Sequence, residues 1–307
     1  MPAKDLENME KETDNDNKST FGGASPHAGQ DVKRDDPQST TAAPMHLVRW
    51  GTDGPCVVLV HGSAQGSALG GDSHFSRQQG LAQRGWQLLV PDRPGHGRSP
   101  DPGRPDDATL DGELVAQLLP GEGAHLVGHS YGGCVALDAA MRDPSRVRSL
   151  TLIEPAMAAL AMNRLEVLRF GLRMVSTLVF STSPIARIEG FIRLVNIPPE
   201  VRGGSSPAEL ERMGDAIKRL RLPSGKTLRR QLETLRAAGV PMLVVSAGWS
   251  RAFDIVCDTV ADVGGGRRLD IATPHHFPQL VSDKFNDALD AFMRESDARP
   301  TSKPTAR

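Results

Sequence analysis

The sequence predicts an α/β fold, a mostly parallel sheet with helices on both faces. Three observations carry that prediction. Short apolar runs alternate with amphipathic segments over residues 45–293, the pattern of strands joined by crossover helices. The run Cys56–Val60 (CVVLV) is apolar throughout, as a strand buried on both faces must be, whereas a strand with one wet face alternates. The run at 124–127 passes through Gly128-His129-Ser130-Tyr131-Gly132 into the small residues Gly133-Cys134-Val135-Ala136. That order reads as strand, sharp turn and helix, with a serine at the apex.

Taken along the chain, residues 45–49 read as a short strand, Cys56–Val60 as the second, 73–84 as a helix, 86–90 as a strand and 110–119 as a helix. The apex serine is followed by a helix over 131–141. Residues 149–153, 242–245 and 268–271 are further strands, with a helix over 252–263 between the last two. An amphipathic helix over 277–293 closes the pattern. Residues 156–238 interrupt the alternation: they are rich in Arg, Met and Leu and show no strand pattern. An insertion between two core strands is expected above the strand C-terminal ends, where an open α/β sheet keeps its ligand crevice. It reads as a helical lid. The core is then expected at 45–155 and 239–296. Residues 1–44 and 297–307 are polar, charged and poor in apolar side chains; they cannot bury enough surface to offset their ordering entropy and are expected to be disordered.

Composition narrows the function. With 36 basic and 37 acidic side chains the net charge is −1, which argues against a general binder of nucleic acid or anionic membranes. Aromatic residues make up only 4%, so the core must rely on Leu, Val, Ala and Met. Cys56, Cys134 and Cys257 form no C-x-x-C and have apolar neighbours. They read as small core residues in a reducing compartment rather than as metal ligands. The first residues are acidic and polar, with no secretory apolar core. The nearest candidate for a membrane span, 168–185, is interrupted by Arg169 and Arg173 and falls short of the ~18 uncharged apolar residues a span needs. A cytoplasmic protein without integral membrane contact is expected.

The G-x-S-x-G at 128–132 carries the chemistry. Between a buried strand and a helix it is a nucleophile elbow: the tight turn lifts Ser130 clear of the sheet, and the helix N-terminus beyond it offers unpaired N–H groups to developing negative charge.

Three further blocks join it in a fixed order: His61-Gly62-Ser63 after an apolar strand, Asp92-Arg93-Pro94-Gly95-His96-Gly97-Arg98-Ser99, and Pro274-His275-His276-Phe277-Pro278 shortly before the closing helix. Over residues 45–293 the sequence resembles the α/β-hydrolase fold superfamily, in its lidded serine-hydrolase branch. The resemblance implies an oxyanion hole built from the N–H groups of Ser63 and Tyr131. It implies a mainly structural role for the 92–99 block, and His61 is read as a loop-shaping residue. It favours His276 as the general base, with its neighbour His275 as the other candidate. His129, next to the nucleophile, reads as lining the elbow. No metal or organic cofactor is required.

The acid departs from the commonest pattern of that superfamily. After the strand at 242–245 the usual Gly-x-x-Asp turn is replaced by Gly248-Trp249-Ser250-Arg251. Asp254, three residues on, is one candidate. Glu154, directly after the strand at 149–153 and 24 residues beyond Ser130, is the preferred one, since some relatives take their acid from the end of that strand. The expected activity is hydrolysis of a small or medium acyl compound, most simply a carboxylic ester, through an acyl-enzyme on Ser130. A C–C bond hydrolase or a cofactor-free perhydrolase would use the same triad, and a non-catalytic ligand-binding protein of the same fold is the alternative from another class. Met157, Met162, Leu165, Leu168, Phe170, Met174, Leu178 and Phe180 are candidates to line an apolar substrate pocket. Arg164, Arg169, Arg173, Arg187 and Arg193 are candidates to meet a substrate anion.

Overall fold

A computed structural model describes residues 45–62 and 64–299. Seven strands form one sheet: β1 (Leu47–Trp50), β2 (Cys56–Val60), β3 (Gln87–Pro91), β4 (Ala124–His129), β5 (Val147–Ile153), β6 (Met242–Ser246) and β7 (Arg267–Asp270). Their order is β1-β3-β2-β4-β5-β6-β7. Only the β1–β3 pair is antiparallel. The helices are α1 (Gly71–His74), α2 (Ala108–Ala116), α3 (Tyr131–Arg142), α4 (Leu165–Phe180), α5 (Pro184–Leu194), α6 (Pro199–Arg202), α7 (Pro207–Arg219), α8 (Gly225–Ala237), α9 (Arg251–Gly264) and α10 (Asp283–Asp297).

The period-two geometry of a strand divides the core into two layers. Cys56, Val58 and Val60 of β2, Leu126 of β4, Leu150 and Leu152 of β5 and Val244 of β6 face a cluster closed by α2, α3, α8 and α9. Val57, Leu59, Val127, Ile153, Leu243 and Val245 face the opposite side, where Phe75, Leu81, Phe285, Leu289 and Phe292 complete the packing. Both faces of β2 are therefore dry, which is why its sequence runs apolar without alternation. A smaller cluster of Ile188, Ile192, Met213 and Ile217 holds α5 against α7.

Four expected elements come out differently. Residues 73–84 are not one α-helix: the short α1 ends at His74 and a 3₁₀ stretch covers Ser76–Arg84. Phe75 and Leu81 are pulled into the core there, and the Gln78 amide donates to Gln279 O and Asn286 Oδ1 at 2.8 Å each. The helix expected at 110–119 begins earlier, because Asp107 caps it by accepting from the N–H groups of Thr109 and Leu110. The closing helix starts at Asp283, after a 3₁₀ turn at Pro278–Leu280; Phe277 stays outside it, packed on the His129 ring. Asp297, expected in a disordered tail, ends α10 and pairs with Arg148 at 3.0 Å. Residues 1–44 and 300–307 lie outside the described residues.

Candidate active site

The strand order fixes where a site can form. The chain leaves β2 towards β3 on one side and returns to β4 on the other, so the loops after β2 and β4 part at a topological switch point. His61-Gly62 follow β2 there, and Ser130 follows β4. Ser130 has φ 55° and ψ −121°, a backbone state that costs about 1–3 kcal/mol and is kept only when the surroundings enforce it. Its N–H donates to Ile153 O at 2.9 Å, and its carbonyl accepts from Gly133 and Ala156 N–H, each at 3.0 Å. Gly62 allows the β2 loop to touch the elbow: a Cβ there would stand 2.8 Å from Ser130 Cβ. Gly132 allows the helix start to approach β2, since a Cβ would meet Val60 O at 2.2 Å.

The strand next to the elbow ends in a carboxylate. Glu154 follows β5 with φ 44°, and its carboxylate is fully buried. Three donors converge on it. Ala247 N–H reaches Oε1 at 2.7 Å, the Trp249 indole N–H reaches Oε2 at 2.7 Å, and His276 Nδ1 lies 3.1 Å from Oε2. A carboxylate is an acceptor on both oxygens, so the Nδ1 proton sits on the His276 side. Nε2 is then the lone-pair nitrogen. It is buried and has no hydrogen-bond partner among the described residues.

The other candidates fall away from this centre or lie beyond description. Asp254 Oδ1 accepts from Ser246 Oγ at 2.6 Å, one turn into α9; it is not a partner of His276. His275 Nδ1 accepts from Phe277 N–H at 3.2 Å and thereby shapes the loop that carries its neighbour. Ser63 lies outside the described residues. Tyr131 opens α3, so its N–H belongs to the first turn, where no i−4 carbonyl exists. Its hydroxyl donates to Arg221 O at 2.9 Å, tying the helix start to the insertion.

Three residues of this neighbourhood were not singled out as partners in the sequence. Trp249 stands in the turn where the commoner acid is absent, and its indole N–H clamps Glu154 in place. His129 Nε2 donates to His276 O at 2.9 Å; burial pushes this imidazole well below the ordinary histidine range, so it stays neutral. Asn196, at φ 49°, binds Pro274 O through its side chain, while its own carbonyl accepts from His276 N–H at 3.4 Å. A histidine beside a G-x-S motif was the only one of these with any sequence signal.

The side chains of the blocks read as structural are engaged within the fold. His61 accepts from Arg93 N–H at 2.9 Å and donates to Gly62 O at 2.6 Å. Asp92 accepts from Gly71 and Arg98 N–H. Arg93, fully buried, is paired with Asp106 at 2.6 Å and Asp111 at 2.7 Å, and its guanidinium lies 4.9 Å from the Tyr131 ring centre. All three cysteines are buried; burial lifts the thiol of Cys56 to about 11 and that of Cys134 to about 12. Neither is a nucleophile at neutral pH. Among the described residues no group of His, Cys, Asp and Glu is placed to hold a metal ion, and no helix is long and apolar enough to cross a membrane.

Ser130 and Tyr131 open into a cavity of about 440 Å³ between the sheet and the helices that follow β5. Met162, Phe170, Met174 and Leu178 line it as expected, joined by Phe253 and Val256 of α9. Met157 does not: it is buried in the main core. Leu165, Leu168 and Phe180 are exposed on the outside of α4. Of the arginines considered, Arg187 is buried and spent on Leu178 O and Gly214 O, Arg193 leans on Glu189, and none lines the cavity.

A profile of the α/β hydrolase fold family matches residues 55–175, and the sheet and helices described above have the α/β-hydrolase fold. Residues along the chain are 38% identical over 127 positions to a dihydrolipoyllysine-residue acetyltransferase component of an acetoin cleaving system from Pseudomonas putida, a match covering 38% of this chain and 32% of that protein. They are 34% identical over 120 positions to lipase LipV of Mycobacterium tuberculosis, covering 37% of this chain and 42% of the lipase. The chain thus spans well under half the length of these relatives. A hydrolase from Oleispira antarctica superposes with a TM-score of 0.63 at 15% identity, covering 82% of this chain and 96% of its own.

Proposed function

We propose that the protein is a serine hydrolase that cleaves a carboxylic ester of small or medium acyl length through an acyl-enzyme on Ser130. The observation that carries this reading is the His276 imidazole, held by the buried Glu154 carboxylate with Nε2 left as acceptor, in the same strand-end cluster as the strained Ser130. Nε2 takes the Oγ proton as Oγ attacks the acyl carbonyl, and Glu154 stabilises the imidazolium that results. The N–H groups of Tyr131 and Ser63 hold the tetrahedral oxyanion, each worth about 2.7–4 kcal/mol by comparison with donor-removal experiments in other hydrolases. His276 then returns the proton to the leaving alkoxide. Water, deprotonated by the same Nε2, releases the acid and restores Ser130.

The apolar cavity favours an uncharged acyl chain. No cation lines it, so a carboxylate or phosphate on the substrate would be buried without a partner, at a cost of several kcal/mol. The helices over 156–238 serve as a lid over this cavity, and a small-molecule acyl compound is the substrate. The test is a series of p-nitrophenyl esters from acetate to palmitate. The reading expects kcat/KM to rise from acetate to a medium chain and to vanish in Ser130→Ala. Equal rates in wild type and Ser130→Ala, or a preference for an acyl chain ending in a carboxylate, would reject it.

A further inference from the structure

Helix α4 is apolar on two separate faces. Val167, Phe170, Met174 and Leu178 turn inward and line the cavity. Leu165, Leu168, Leu172, Val175 and Val179 form a second row. They recur at spacings of three and four residues, which aligns them along one side of a helix. Every one of them is exposed, Leu172 by 60%, and Phe180 at the helix end by 76%. The packing of α4 onto the fold does not use this row. Leu172 and Val175 also belong to the rim of the cavity, so the outer row runs into the mouth of the candidate active site, where exposed Met162 and Leu222 extend it.

The charges along this helix are mainly positive. Arg164, Arg169 and Arg173 are exposed, and Glu166 is the only carboxylate in α4. Arg169 and Arg173 follow one edge of the row. An apolar row flanked by guanidinium groups is the arrangement with which a surface helix seats itself at the boundary of an anionic lipid layer. Its apolar side chains enter the acyl region and its cations meet the headgroups. A second copy fits less well. Two α4 helices packed antiparallel about Leu172 would gather Arg169 and Arg173 from both chains at the middle of the seam, with Glu166 towards its ends. Like charges at such a seam disfavour the pair. The net charge of −1 over the whole chain does not bear on this local face.

We propose that the outer face of α4 docks the protein on an anionic lipid surface, with the cavity mouth turned towards it. Docking itself does not depend on the Ser130 chemistry; only the delivery of an acyl chain into the cavity rests on the hydrolase reading. The experiment is co-sedimentation of the full chain with vesicles of phosphatidylglycerol and, separately, of phosphatidylcholine. Wild type and Ser130→Ala are expected to bind phosphatidylglycerol vesicles equally, and phosphatidylcholine vesicles more weakly. The double variant Leu168→Gln/Val179→Gln alters exposed side chains outside the cavity. It is expected to bind phosphatidylglycerol roughly tenfold less while hydrolysing soluble p-nitrophenyl acetate within about twofold of wild type. Arg169→Gln/Arg173→Gln should lose the preference for the anionic lipid. No binding of wild type to phosphatidylglycerol vesicles, or equal binding by the Leu168/Val179 variant, would overturn the proposal. So would a solution dimer that this variant abolishes, which would assign the face to a second copy. Loss of ester hydrolysis with vesicle binding intact would strike the hydrolase reading alone.

Discussion

Replacing Glu154 by Gln removes one charge and changes almost no volume, and the site shows why the change is costly. Three donors meet two carboxylate oxygens, at 2.7, 2.7 and 3.1 Å. A glutamine offers one acceptor oxygen and one NH₂ donor. If its NH₂ faces Ala247, two buried donors oppose each other. If it faces Trp249 and His276, the indole loses its acceptor and the imidazole is driven to the tautomer with Nε2 protonated, which cannot take the Ser130 proton. Either way one buried donor is left unpaired, at about 1–3 kcal/mol of stability. The imidazolium formed during attack also loses its counter-charge. The equivalent Asp→Asn change in serine proteases lowers kcat about 10⁴-fold, close to 5.5 kcal/mol of barrier. Steady-state hydrolysis of p-nitrophenyl butyrate should show kcat reduced by about 10³–10⁴ with KM little changed, whereas Asp254→Asn stays within about twofold of wild type. A Glu154→Gln enzyme with more than a tenth of wild-type kcat, or an Asp254→Asn enzyme as impaired as it, would refute the assignment of the acid.

Three other perturbations follow from the same geometry. Trp249→Phe keeps the ring and deletes one charge-assisted hydrogen bond to Glu154, worth about 1.5–3 kcal/mol; kcat should fall about tenfold or more, and an unchanged rate would show that the indole does not hold the acid. Gly62→Ala places a Cβ 2.8 Å from Ser130 Cβ, which pushes the β2 loop off the elbow and should lower kcat by about two orders of magnitude; a crystal structure of the variant with the loop unmoved would contradict this. His61, His74, His96, His125 and His129 are buried, and burial holds each below the usual histidine range, at about 4 for His96 and His125. Unfolded histidine titrates near 6.5, so below that pH the unfolded chain binds more protons than the native one. Stability is therefore full above about pH 6.5 and drops as the pH falls towards 4, by up to about 1.4 kcal/mol per pH unit for each histidine. Urea midpoints that stay level between about pH 7.5 and 5 would show these imidazoles to be exposed.

The fold was legible where burial decides the sequence. Cys56–Val60 has no polar residue because both its faces are covered, and the elbow glycines have no side chain because neighbouring backbone occupies that space. Residues 73–84 misled because a helix-compatible composition is overridden there by tertiary demands: Phe75 and Leu81 fill the core, and Gln78 bridges to the closing segment 201 and 208 residues away. Glu154 could be preferred from its place at a strand end, because adjacent parallel strands end side by side. The grip on it could not be foreseen. Trp249 is 95 residues away in sequence, and His129 acts on His276 through a backbone carbonyl that no motif marks. The outer face of α4 was half legible: its apolar residues stood out, but only the direction in which the helix packs separates the cavity lining from the exposed row.

The proposed hydrolysis requires Ser130 to be an activated nucleophile. Intact-mass spectrometry after treatment with a fluorophosphonate, on wild type and Ser130→Ala, tests it most directly. A single adduct is expected on wild type, mapped to Ser130, and none on the variant. An unmodified wild type, or an adduct that persists in Ser130→Ala, would mean that the serine, histidine and glutamate gathered at these strand ends do not act together.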